Sequence, residues 1–228
     1  MKRKTRCFLW FLAVILAALT ALAVWQRNNL KAFYLFLTLD TENVAQQMEQ
    51  TREEHFQKLE TEHQITVRAP DRAQSDALLN GDMTAEEVKQ VLGIVPTEPT
   101  EPIEPTQNEQ APKKTAQDLI NECTAELYAC KVDTMAMLGE LKQQALEEWK
   151  AMPASERTKQ AKIKLGLAKL NVCYEREVAV DSQVQAILDK YRPLLEEIGA
   201  DTSVLGTLWE YYCEEKASEK AYYMNMYL

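Results

Sequence analysis

Cysteine and histidine are the side chains of this sequence best suited to metal binding, disulfide formation or nucleophile–base chemistry, and their spacing separates those options. Cys123 and Cys130 stand seven apart in one helical stretch. That is about 10 Å of rise, too far for two thiolates to chelate one ion. No Cys-x-x-Cys occurs, and Cys7 sits apart in an apolar run. Two readings remain for Cys123, Cys130, Cys173 and Cys213. They are small buried hydrophobes at or beside a core seam, or, in an oxidising compartment, candidates for a disulfide between helices. His55 and His63 are the only histidines and lie eight apart, whereas two ligands on one helix face need a spacing of three or four. With no other histidine there is no Ser-His-Asp or Cys-His arrangement. No phosphate-binding loop, dinucleotide fingerprint or nucleophile elbow is present. Carboxylate pairs are many, but on an acidic helical surface such pairs are solvated charges. The expectation is therefore no catalytic residue, no metal and no cofactor.

The N-terminus bears on where the chain works. Lys2, Arg3, Lys4 and Arg6 precede an uncharged apolar run over residues 7–25, CFLWFLAVILAALTALAVW. At about 1.5 Å per residue this run comes close to crossing a ~30 Å hydrocarbon layer. The flanking charge places the N-terminus in the cytoplasm and the remainder outside. Ala21-Leu22-Ala23 also matches a signal-peptidase site, so a chain cleaved after Ala23 and secreted is the alternative. The length of the run, the lack of a polar segment before the cut and the interfacial Trp25 favour a retained anchor. Residues 32–39, AFYLFLTL, are too few to span a bilayer and read as an interfacial helix or an extension of the anchor.

Six of the 26 Lys and Arg lie within residues 1–31, which hold no Asp or Glu. The rest of the chain thus carries 20 cations against 35 anions, a net of −15. Such an acidic body excludes a nucleic-acid partner, which needs a basic footprint. Glycine is scarce, at 6 residues, and Ala, Leu, Glu, Lys and Gln abound, so an all-α fold is expected.

Beyond a basic tail (1–6), an anchor (7–26) and a juxtamembrane helix (27–40), a small helical module is expected over 41–93. A helix over about 41–66 shows a thin stripe of Val44, Met48, His55, Phe56, Leu59 and His63. Pro70 suits the first position of a second helix, Asn80-Gly81 stops it, and Thr84-x-x-Glu87 caps a third that ends at Gly93. This hairpin is expected to dock on helix 41–66. Residues 94–115 are a linker in which Glu-Pro recurs every three residues. Proline at this density favours extended polyproline II, and the linker reads as a stalk holding the C-terminal domain off the membrane.

An antiparallel three-helix bundle is expected over 116–228, with helices at about 116–151, 157–199 and 203–227. The first carries a seam of Ile120, Cys123, Leu127, Cys130, Thr134, Met137 and Leu141. The second carries Ile163, Leu167, Leu170, Tyr174, Val178, Val184, Leu188, Tyr191, Leu195 and Ile198, with Pro193 expected to kink or break it. The third is too short to cover the whole hairpin, leaving a two-helix arm. Its Leu205, Leu208, Trp209 and Tyr212 face the core, whereas Val204, Tyr211 and Tyr222 lie on a separate flank. With Glu214 and Glu215 beside them, these three residues are the candidate surface for a basic protein partner.

Residues 153–158 (PASERT), 199–203 (GADTS) and 215–223 (EKASEKAYY) resemble membrane-anchored bacterial envelope proteins that share an anchor, a Pro/Glu/Thr linker and a helical tail. The resemblance covers about half the chain and implies no activity. The expected role is a non-catalytic scaffold, adaptor or accessory subunit of an envelope assembly, with self-association through the helix seams open. A ligand-binding or sensory ectodomain is the second reading.

Overall fold

Three segments carry reciprocal capping signals, and each opens a helix in the structure, a computed structural model. It describes the backbone of residues 27–94 and 114–227. The side chains of Asp71, Thr84 and Thr115 accept from the backbone N–H three residues on, while Gln74, Glu87 and Asp118 reach back to the cap N–H. These boxes satisfy donors that the first helical turn leaves without partners. The hydrogen bonds from Thr115 hold the Asp118 carboxyl below its ordinary range, and those from Thr84 do the same for Glu87.

Seven α-helices result among the described residues, with no strand: α1 (Arg27–Thr38), α2 (Thr41–His63), α3 (Arg72–Asn80), α4 (Ala85–Val91), α5 (Ala116–Ala151), α6 (Lys159–Glu197) and α7 (Ser203–Tyr227). The all-α class is as expected. None of these helices is long and apolar enough to cross a membrane. The expected span over residues 7–25 and most of the Glu-Pro linker lie outside the described residues.

Two element ends differ from expectation. α2 stops at His63 rather than near 66, because Gln64 adopts a left-handed conformation (φ 52°) and Ile65 N–H donates back to the Leu59 carbonyl at 3.3 Å. Ile65 is fully buried there, so an apolar contact holds a turn that glycine usually makes. α3 begins at Arg72 with Asp71 as its cap, so Pro70 lies before the helix rather than at its first position. Gly81 (φ 77°) ends α3 as expected. α6 continues through Pro193 to Glu197 without a break.

The chain divides into two compact units, Met1–Glu53 with Glu210–Leu228, and Glu54–Trp209. Both boundaries fall inside helices, α2 and α7. α7, expected whole within the 116–228 bundle, is thus shared between the two units.

In the larger unit, α5 and α6 pair antiparallel. Lys169 Nζ lies 2.6 Å from Glu148 Oε1 near one end, and Lys190 Nζ lies 2.5 Å from Glu126 Oε1 nearer the other. α3 and α4 dock on α5, not on α2 as expected. Lys89 Nζ of α4 meets Asp133 Oδ1 at 2.5 Å, and Lys142 and Gln143 of α5 donate to Asn80 at 2.7 and 3.2 Å. Glycine at 139 permits the contact, since the backbone of Leu78 and Leu79 lies where a side chain would be. The linker thus joins α4 to α5, two helices already packed together.

In the smaller unit, Leu35, Val44, Ala45, Ala221 and Tyr222 form a buried cluster, with Phe36, Leu39, Met48 and Tyr223 packed against it. Lys31 Nζ reaches Glu214 Oε1 at 2.8 Å, and Asn225 Nδ2 donates to the Leu39 carbonyl at 3.2 Å. The C-terminal half of α7 is thereby fastened to α1.

Candidate functional site

The five residues expected to form a partner surface are not displayed together. Val204 is fully buried and Tyr222 is 1% exposed. Tyr211, Glu214 and Glu215 are half-buried, and Glu214 is engaged by Lys31. From Tyr211 to Asn225 no residue of α7 is exposed. The tyrosine flank is interior because this half of the helix is enclosed on more than one side, which a single hydrophobic stripe in the sequence does not reveal. Val204 lies in the larger unit and the other four in the smaller one.

Cys123 and Cys130 are buried, as the seam predicts, and carry free thiols. Burial, aided by the nearby Glu126, pushes the Cys123 thiol up to about 12. Burial also raises Cys130, with Asp133 adding to it and Thr134 and Lys89 opposing. A thiol held protonated in an apolar site is a poor nucleophile. Cys173 is half-buried in the same unit and Cys213 half-buried in the other. A maleimide is expected to modify Cys173 in the native protein while Cys123 and Cys130 resist until denaturant unfolds the unit. Mass spectrometry of the labelled peptides checks this, and native labelling of Cys123 at the rate of Cys173 would contradict it.

Among the described residues no group of three or more His, Cys, Asp or Glu is placed to hold a metal ion. The most connected polar group is structural in character. Tyr191 of α6, 2% exposed, donates its hydroxyl to Glu126 Oε1 at 2.7 Å, and Lys190 donates to the same oxygen. Burial, and then the Glu126 carboxylate, raise the tyrosine well above its ordinary range. It therefore stays a neutral donor that joins α5 to α6.

Two surface features do stand out, both apolar. On α1, Leu30, Phe33, Tyr34 and Leu37 are 50–64% exposed, at helical spacing on one face. Ala32 and Leu35 on the other face are buried. On α6, Ile163, Leu167, Leu170, Tyr174 and Val178 are 50–62% exposed. These five were expected in the bundle seam, but the half-buried line over this stretch is Ala161, Leu165, Lys169, Cys173 and Glu177. Further along α6 the expected seam holds, since Val184, Leu188, Tyr191 and Leu195 are buried. Hydropathy ranks the first line above the second, so the inward face of this stretch is misread from sequence. The available signal is charge pairing, because Lys169 answers Glu148 across the helix pair.

Comparison with family models, with curated proteins and with solved structures finds no match to this chain.

Proposed function

We propose that the chain is a single-pass membrane protein of a bacterial cell envelope, cytoplasmic at its N-terminus and extracytoplasmic beyond residue 26. In this reading it is a non-catalytic scaffold, adaptor or accessory subunit. The observation that carries the membrane reading is the exposed face of α1. Leu30, Phe33, Tyr34 and Leu37 face outward on the helix that directly follows the 7–25 apolar run, while Leu35 packs against α2 and α7 and Ala32 is buried. An apolar stripe that large is unfavourable in water and suits the boundary between headgroups and acyl chains. Tyr34 places an amphipathic ring at that level. A chain cut after Ala23 and secreted would present this face to water, which favours the retained anchor over the secreted alternative.

The test is alkaline extraction and external proteolysis of full-length protein expressed in a bacterium. Retention in the membrane pellet, with the body digested from outside intact spheroplasts, is the expected result. Release into the medium as a chain beginning at Val24, or a body protected from external protease, would overturn the reading.

A further inference from the structure

The exposed stripe of α6 has its own charge pattern. Residues 159–174 contain the exposed Lys159, Lys162 and Lys164 and no carboxylate, Lys169 being turned to Glu148 of α5, whereas residues 175–189 contain Glu175, Asp181 and Asp189 against Arg176, with Glu177 on the half-buried inward line. The apolar residues between these charges step by 4, 3, 4 and 4, almost the same in either direction. An apolar stripe with a cationic half and an anionic half is complementary to itself when one copy is turned end for end. A parallel copy would set lysine over lysine.

We infer that the chain self-associates through this face, two α6 helices pairing antiparallel about a two-fold axis near Leu170. In that arrangement Ile163 lies level with Val178 of the second copy, Leu167 with Tyr174, and Leu170 close to its own counterpart. The cationic half of each helix then runs beside the anionic half of the other. Such pairing sets orientation and rejects the parallel mode. The stretch from 159 to 181 is about 34 Å long. One helix face of that length makes a small interface, so the dimer is concentration-dependent in solution. It strengthens where two copies share a membrane, a gain that rests on the anchor proposed above.

Sedimentation equilibrium of the full-length chain in detergent is the test, and it reads association without reference to membrane topology. A monomer–dimer equilibrium is expected. L170D, at a position 62% exposed, leaves the fold intact and weakens association by at least about tenfold. K164E alone weakens it, and K164E combined with E175K recovers most of the loss, because both exposed residues flank the stripe on the same side. A chain that stays monomeric to about 100 µM overturns the inference, as does a dimer indifferent to L170D. Failure of the charge swap to recover association overturns the antiparallel orientation. A monomer that remains in the membrane pellet leaves the anchored reading standing, so the two failures are distinguishable.

Discussion

Replacing Gly139 by alanine is expected to lower the stability of the larger unit by about 2 kcal/mol or more, although the same change in an exposed helix raises stability by about 1 kcal/mol. A methyl group on Gly139 would stand 2.4 Å from the Leu78 carbonyl oxygen and 3.2 Å from Leu79 Cα. Both obstacles are backbone, so no rotamer change relieves them. Moving the Leu78 carbonyl also disturbs the turn that ends α3, where it accepts from Gly81 N–H at 3.2 Å. It further disturbs the bonds from Lys142 and Gln143 to Asn80. Gly166 of α6 and Gly206 of α7 are the controls, since a methyl group there meets nothing within 4 Å. Alanine at either is expected to stabilise by about 0.5–1 kcal/mol through reduced backbone entropy of the unfolded chain. Denaturant unfolding of the three variants decides the matter. Gly139→Ala as stable as Gly166→Ala would mean that α3 does not rest on α5.

Tyr222→Ala is expected to cost about 3–5 kcal/mol, the range for truncating a large aromatic in a core. The ring is 1% exposed and packs with Leu35, Val44, Ala45 and Ala221, and it meets Tyr223 edge-on at a centroid separation of 5.0 Å. Tyr34→Ser, at a residue 64% exposed, is the control and is expected to change stability by less than about 0.5 kcal/mol. The comparison separates two roles for Tyr222. A residue that serves a partner surface would lose binding and little stability, whereas a core residue releases the end of α7 from α1. Thermal unfolding of full-length protein in detergent gives the answer, and a Tyr222→Ala melt matching the wild type would return that tyrosine to the surface.

These two residues show where sequence reasoning succeeds and where it stops. The starts of α4 and α5 are legible because a threonine and a carboxylate three positions on satisfy backbone donors locally. The end of α3 at Gly81 is legible because glycine takes a positive φ without steric cost. The buried Cys123 and Cys130 follow from the α5 seam. From sequence Tyr222 reads as surface because hydropathy along α7 shows one stripe on another face, and a helix enclosed on several sides does not follow from one stripe. Gly139 carries no local signal at all. Its requirement comes from residues about 60 positions away, whose backbone approaches α5 only after folding.

The sequence by itself determined the all-α class, the placement of the helices and most of their ends, because propensity, capping and turn chemistry act within a few residues. Tertiary structure alone decided which partners those helices take. It set α3 and α4 on α5, shared α7 between two units, and turned the strongest apolar stripe of α6 outward. The physical reason is that apolar burial is non-directional. A stripe of leucine, isoleucine and tyrosine states that a face is favourably covered and does not state by what. On α1 and α6 such a face stays exposed among the described residues.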